Sequence, residues 1–394
     1  MTAAAARPGV LVYCQHSVGL GHLVRSAALA GALAGSFDVV LATGGALPGG
    51  FVPPAGVELL PLAPIGSADE RGSVLESLDP GRTLEEALDA RRAALLGVLE
   101  RRSPAAVVVE QFPFGRRKFA GELLPLLEAA RRRRPAPAVV CSVRDLLVRR
   151  AHGQAARDER TTQVLEAYFD AVVVHADPRV ARLADTFPGA GALSIPVHHL
   201  GYVVPGGPCP RWRRPSEPVV VVSAGGGRSG GPLLRCAAAA HLDHLDRLGV
   251  TTRLVTGPFL PEAAGAALRA AAGRSPSLQV ERFVPDLCTV LAGASVSVGQ
   301  CGYNSALDVL RCGVPAVVVP FSGDDEQPER ARRLARLGVV QVLSPDELAP
   351  EPLAGAVLRL LEATPSPAAI DLDGAAATAR LVGQLVAGRR APVG

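Results

Sequence analysis

Gly299-Gln300-Cys301-Gly302-Tyr303-Asn304-Ser305-Ala306-Leu307-Asp308, continued by Gly313-Val314-Pro315 and by Asp324-Asp325-Glu326-Gln327, is the stretch on which the reading of this chain turns. It follows the apolar run 294–298, which reads as a buried strand, and it opens a short helix that Gly313 and Pro315 bring to an end. Asn304 stands where a side-chain oxygen caps the first turn. A glycine turn between a strand and a helix N-terminus aims backbone N–H groups and the positive end of the helix dipole at an anion, and phosphate is the usual guest. Asp308 follows Asn304 by one turn on the same face. Helical side chains lean toward the N-terminus, so its carboxylate overhangs the glycine turn, where it suits a ribose diol. A glycine turn alone fits any α/β domain; the carboxylate and the later Glu326-Gln327 give this one a nucleotide character.

Outward from this stretch, the same alternation fills the chain. The apolar run 10–14 leads into Gln15-His16-Ser17-Val18-Gly19-Leu20-Gly21-His22 and a helical stretch over 23–34. Short apolar runs follow at 38–42, 57–60, 105–109, 138–141 and 171–174, with helical stretches such as 84–101 and 121–133 between them. Continuous apolar strands alternating with helices predict a parallel sheet covered on both faces. Over 203–218 prolines and glycines become too dense for either element, and a second series of strands begins at 219–222 and continues at 252–255, 278–282, 294–298, 316–319 and 339–342. The expected organisation is an α/β chain with a first Rossmann-like doubly wound domain over 1–204, a linker over 205–218, a second such domain over 219–374, and a last helix over 375–394.

At 394 residues, 48% of them apolar, the chain can bury two cores. Net charge is +4, the basic residues are arginines apart from Lys118, and the run 131–134 reads as a solvated helix end, so nothing points to nucleic acid. The seven cysteines form no C-x-x-C and read as reduced thiols of a cytoplasmic protein, with no zinc site. The segment before Pro8 is too short for a signal peptide, and no transmembrane segment is expected.

The opening stretch resembles the donor-binding region of GT-B glycosyltransferases, in particular the group related to the peptidoglycan GlcNAc transferase (family 28) and to bacterial predicted glycosyltransferases. In that group a Gly-Gly-x-Asn-Thr-x-x-Glu segment, a Gly-x-Pro and an acid-Gln pair recur in order. The matching residues are Cys301-Gly302, Asn304, Ser305 and Asp308, then Gly313 and Pro315, then Glu326-Gln327; Cys301 replaces a glycine, Ser305 a threonine, and Asp308 a longer glutamate. The resemblance implies a GT-B fold, two Rossmann-like domains facing a central cleft, with the last helix, 375–394, crossing back to the first domain. It implies donor binding by Gly302, Asn304, Ser305 and Asp308, with Glu326 and Gln327 on the sugar, and base recognition by the backbone at Val284, in Phe283-Val284-Pro285-Asp286.

Other residues add to this set. Ser223-Ala224-Gly225-Gly226-Gly227-Arg228 follows a strand; Gly225 and Gly226 allow close backbone approach to a diphosphate and Arg228 offers a fork of donors, while the absence of Gly-Lys-Ser/Thr excludes a Walker loop. Gly19 and Gly21 lack the third glycine of a dinucleotide fingerprint, since Val24 stands there. In the first domain Glu110 and Arg144 follow buried strands, where open α/β sheets place ligands, and Arg25 shares a helix face with His22; Gly19, Gly21, Arg25, Glu110 and Arg144 are the acceptor or phosphate side. His22 is the candidate general base, because a helix N-terminus lowers its proton affinity and similar transferases keep a Gly-His here. His198-His199 reads as structural.

The expected activity is transfer of a sugar from a nucleotide diphosphate donor, a UDP-sugar by resemblance, to a hydroxyl or similar acceptor, either a small molecule, a glycan or a lipid-linked compound. No metal and no cofactor beyond the nucleotide sugar is expected, and inversion is what the resemblance implies. A nucleotide-sugar 2-epimerase and a non-enzymatic nucleotide-sugar-binding protein share the architecture and are the alternatives; the sugar, the acceptor and the oligomeric state are not legible.

Overall fold

The computed structural model describes residues 7–16, 20–68, 74–147, 152–205, 207, 209–323, 325–363 and 369–390. The chain divides into two compact units, residues 1–206 with 371–394, and residues 207–370.

The first unit contains strands β1 (Gly9–Cys14), β2 (Asp38–Thr43), β3 (Val57–Pro61), β4 (Ile65–Ser67), β5 (Leu75–Ser77), β6 (Ala106–Glu110), β7 (Ala138–Val143), β8 (Ala171–Val174) and β9 (Val197–His199). Its helices are α1 (Gly21–Ala34), α2 (Leu84–Arg102), α3 (Ala120–Arg132), α4 (Gln154–Tyr168) and the single turn α5 (Leu183–Thr186). Seven strands form a parallel sheet in the order β3-β2-β1-β6-β7-β8-β9, so the winding direction reverses between β1 and β6. The strands β6 and β7 are buried along their whole length, as strands covered by helices on both faces must be. The edge strand β9 carries His198-His199, the structural pair that the sequence reading set on a strand; the antiparallel β4–β5 hairpin was not legible, because it is only three residues a side.

The second unit holds β10 (Val219–Ser223), β11 (Thr251–Val255), β12 (Leu278–Glu281), β13 (Val296–Gly299), β14 (Ala316–Val318) and β15 (Gln341–Val342), with α6 (Gly231–Ala240), α7 (Glu262–Ala272), α8 (Leu287–Ala292), α9 (Tyr303–Cys312), α10 (Glu326–Arg336) and α11 (Pro350–Glu362). Its parallel sheet runs β12-β11-β10-β13-β14-β15, with the reversal between β10 and β13. Val220, Val222, Leu254, Val296 and Val298 make the centre of its core, against Leu234 and Val357 from the covering helices.

The stretch read as the interdomain linker is fastened to the second unit: the Trp212 indole N–H donates to Ala294 O at 2.6 Å, and its backbone N–H to Cys312 O at 2.9 Å. The thiols are also not all free, since Cys209 and Cys288 form a disulfide between that stretch and α8. A separation of 79 residues gives no local spacing to reveal such a pair; only packing brings the two Cα atoms to 6.1 Å. Cys14, Cys141, Cys236, Cys301 and Cys312 form no disulfide.

The chain then returns to the first unit at Asp371 and ends in α12 (Gly374–Arg390), which packs on α1 and puts Val382 and Val386 into that unit's core. The re-entry point is tightly fitted. Asp371 N–H donates to Asp177 at 2.9 Å, Tyr202 N–H to Asp371 O at 2.8 Å, and Gly374 N–H to Tyr202 O at 3.0 Å. Among the described residues no helix is long and apolar enough to cross a membrane.

Candidate active site

In both units the glycine turns singled out by the sequence follow the strands between which the sheet reverses direction, which is where open α/β sheets bind ligands; Arg144, Val284 and the Glu326-Gln327 pair follow other strands, β7, β12 and β14. In the first unit this point lies between β1 and β6. Gly21 is the first residue of α1 and His22 the second; Gly19 lies outside the described residues. Glu110, the last residue of β6, accepts a hydrogen bond from His22 Nδ1 on Oε1 at 2.6 Å. The carboxylate thereby fixes the tautomer and leaves the lone pair on His22 Nε2, which has no hydrogen-bond partner among the described residues and is not among the sealed polar atoms. The His22 side chain is 16% exposed. Burial pushes His22 down to about 3, against the pull of Glu110 and with the help of Arg116 and Arg144, so the ring is neutral throughout the physiological range. Burial alone would raise Glu110, but His22 and Arg25, followed by Arg116, hold it well below the usual carboxylate range. Base, orienting carboxylate and open lone pair are the arrangement that general-base activation of a hydroxyl needs.

The structure assigns different surroundings to two of the acceptor-side residues than exposure to a ligand would require. Arg25 is 2% exposed, its guanidinium bonded to Glu110 Oε1 at 2.5 Å and to Ser142 Oγ at 3.2 Å. Glu110 is equally buried, and serves His22 and Arg25. Arg144 lies close enough to act on His22 through its charge, and so does Arg116, a residue the sequence did not single out, whose Nε is 3.9 Å from Glu110 Oε2. Arg116 sits at φ 57°, left-handed backbone that costs a residue with a Cβ energy and is more common at functional sites than elsewhere.

In the second unit the reversal lies between β10 and β13, and Ser223 pairs with Gly299 at their carboxyl ends. The two glycine loops are therefore side by side. Gln300 Nε2 donates to Ser229 O at 3.4 Å, which ties one loop to the other. Gly225 and Gly227 have φ of 58° and 88°, and a Cβ on Gly227 would stand 2.3 Å from Thr256 O. Gly226 O accepts from Phe259 N–H at 2.9 Å, so the loop lies flat on the turn 256–259. The Arg228 guanidinium sits over the Phe259 ring, 5.7 Å from its centre.

Helix α9 begins at Tyr303, with Gly302 as its N-cap and no side chain capping it. This corrects the expectation for Asn304: it lies inside the first turn and is exposed, so its side chain does not cap. The consequence favours anion binding, because the N–H groups of Asn304 and Ser305 have no partner among the described residues. The Ser305 hydroxyl instead donates to Gln300 O and Gly302 O, both at 3.2 Å, and braces the turn. Asp308 makes no side-chain hydrogen bond among the described residues, and burial raises it to about 6, with Arg311 opposing and Asp286 adding to the rise. Asp286 caps α8 through Thr289 and closes the turn containing Val284, whose backbone N–H and C=O have no partner among the described residues. Next to it Phe283 exposes 65% of its surface. A carboxylate beside an open backbone edge and an exposed ring can take up a ribose diol and a planar base.

Glu326 and Gln327 open α10, and both are engaged within the protein. Gln327 Oε1 accepts from Phe321 N–H at 3.2 Å. Glu326 pairs with Arg330 at 2.5 Å, and Arg330, fully buried, donates to Cys301 O at 2.8 Å and lies over the Tyr303 ring at 5.6 Å. Arg330 thus joins the acid-Gln pair to the glycine turn. The sequence reading missed it, although its spacing one turn after Glu326 was the available signal.

The chain is similar to several known proteins. Residues 252–380 match the Glycosyltransferase family 28 C-terminal domain. The UDP-N-acetylglucosamine--N-acetylmuramyl-(pentapeptide) pyrophosphoryl-undecaprenol N-acetylglucosamine transferase of Solidesulfovibrio magneticus is 31% identical over 160 residues, 39% of this chain and 43% of that relative's length. Among solved structures, the calicheamicin glycosyltransferase CalG4 superposes with a TM-score of 0.60 at 20% identity, covering 98% of this chain and 95% of that one. The MurG of Acinetobacter baumannii does so with a TM-score of 0.60 at 18% identity, covering 96% and 99%. The chain has the GT-B fold and resembles the family 28 group.

Proposed function

We propose that this chain, which carries a family 28 C-terminal domain within a GT-B fold, is a hexosyltransferase that uses a UDP-sugar donor, UDP-GlcNAc-like by resemblance. The observation that carries the reading is where the family match falls: residues 252–380 include the base turn at Val284, the uncapped N-terminus of α9, Asp308 and the Glu326-Gln327 pair. The second unit supplies the donor side. Asp308 receives the ribose diol, the Val284 backbone the edge of the base, and the N–H groups of Asn304 and Ser305 with the Gly225-Gly226 loop and Arg228 the diphosphate. The first unit supplies the acceptor side, where His22 Nε2 takes the proton from the attacking hydroxyl while Glu110 steadies the imidazolium that forms.

In this reading no metal is required, because N–H donors and a guanidinium neutralise the leaving diphosphate. Direct attack by a hydroxyl activated by a base, with the diphosphate leaving from the opposite face, gives inversion at the anomeric carbon. The similarity to the undecaprenol-linked transferases supports a glycan or lipid-linked acceptor, among which the test must choose. Titration calorimetry with UDP-, dTDP- and GDP-sugars should give heat with UDP-sugars at the lowest concentration, and UDP release should depend on an acceptor. A preference for dTDP or GDP overturns the uridine assignment, and acceptor-independent conversion of the donor sugar overturns transfer.

A further inference from the structure

His22 and Arg25 lie almost one turn apart on α1 and meet on a single atom: Glu110 Oε1 accepts from His22 Nδ1 at 2.6 Å and from Arg25 at 2.5 Å. Arg25 is 2% exposed and has a second anchor, Ser142 Oγ at 3.2 Å, which itself stands 2.9 Å from His175 Nε2. A buried carboxylate whose only close partner is an imidazole favours a proton on the ring, because the imidazolium charge offsets its own. A ring protonated in this way has lost the lone pair that a base needs. With a guanidinium already on the same oxygen, the carboxylate's charge is balanced, and it can orient the ring as a plain hydrogen-bond acceptor.

We propose that Arg25 is a positioning residue for the base: it is the resident counterion of Glu110, and it allows that carboxylate to orient His22 through Nδ1 without protonating it. The inference rests on the reading of His22 as the base, but it concerns a state of the ring that exists without substrate. The other groups facing the pair act in the same direction or not at all. Arg116, from the loop after β6, is 3.9 Å from the other carboxylate oxygen and 21% exposed, and Arg144, after β7, also opposes protonation of His22. The thiols of Cys14 on β1 and Cys141 on β7 are pushed up by burial and stay neutral, and His175, after β8, is held neutral by burial and by Arg25. Arg25 differs from the two other arginines in sharing Oε1 itself and in being sealed from solvent, where charge is least screened.

The test is a proton NMR titration of the histidine ring signals in the intact protein, with His22 assigned from a His22→Asn variant. In the unmodified protein the His22 signal should keep its neutral position from pH 9 to pH 5. In Arg25→Gln its midpoint should rise by about 1–3 pH units, the usual effect of one close charge. Arg25→Lys, which keeps the charge, should restore the original behaviour, and Arg116→Gln should shift the midpoint less than Arg25→Gln does. An unchanged midpoint in a folded Arg25→Gln protein overturns the proposal. Should that variant not fold, protonation of His22 near neutral pH in Arg25→Lys overturns it equally. None of these readings needs donor, acceptor or turnover, so a failure here leaves the transferase reading standing, and a missing transferase activity leaves this result interpretable.

Discussion

At the scale of the residue, His22 and Asp308 are driven by the same force, burial, to opposite ends of usefulness. Burial lowers His22 to about 3, so its lone pair is present at every pH at which the protein is handled. His22→Ala is expected to lower turnover by about 10²–10⁴-fold, the usual contribution of general-base catalysis, with donor affinity nearly unchanged. Single-turnover rates beside calorimetry separate the two, and equal loss of donor binding would move His22 to the phosphates. Burial raises Asp308 to about 6, above its ordinary range, so its ionisation is disfavoured in the fold. That contribution to stability is fully present below the unfolded value of 3.8 and is lost as pH rises through about 6. Two diol hydroxyls are better held by the ionised form, so UDP affinity should strengthen from pH 5 to pH 7 and level off above it. In Asp308→Asn, affinity should be weaker at pH 7.5 by roughly 1.5–3 kcal/mol and flat with pH. A wild-type affinity that does not change between pH 5 and pH 7 would remove Asp308 from the ribose.

At the scale of the element, α10 and the turn before α9 are held as one piece by Arg330. The guanidinium is fully buried, paired with Glu326, bonded to Cys301 O and stacked on Tyr303. Arg330→Met keeps the length and removes the charge, and with it the guanidinium that Glu326 and the Cys301 carbonyl bind. Breaking a buried pair from one side costs about 3–5 kcal/mol. Denaturant unfolding should show a loss of at least about 3 kcal/mol, with weaker nucleotide binding because the first-turn N–H groups of α9 lose their fixed position. A loss below about 1 kcal/mol would mean that α10 and the turn hold their places independently.

At the scale of the whole molecule, each unit has its own core, and α12 belongs to the first unit although the second unit precedes it in the chain. The re-entry leaves no room for a side chain at Gly374, where a Cβ would stand 2.2 Å from Gly201 O. Gly374→Val should therefore lower the melting transition of the first unit. The transition of the second unit, and UDP binding with it, should stay in place. Calorimetry in which both transitions move together would show that the two cores do not unfold independently.

What the sequence by itself determined is everything that depends on residues near one another in the chain. Alternating apolar runs and helices fix two parallel sheets, because a strand covered on both faces is built mostly of apolar residues. Glycines at strand ends fix where backbone can approach an anion, since a Cβ at Gly227 has no space. Only the tertiary structure decided which side chains share a charge. Glu110 lies 88 residues from His22 and 85 from Arg25, and a buried carboxylate takes whichever donors packing brings to it. The same holds for the disulfide of Cys209 with Cys288, and for Asn304, whose place as cap was lost because the helix starts at Tyr303 with Gly302 as its N-cap. Local pattern sets backbone conformation through sterics and hydrogen bonding within a few residues. Partnerships in the low-dielectric interior are set by distance in space, and a chain this long brings together residues that no spacing rule connects.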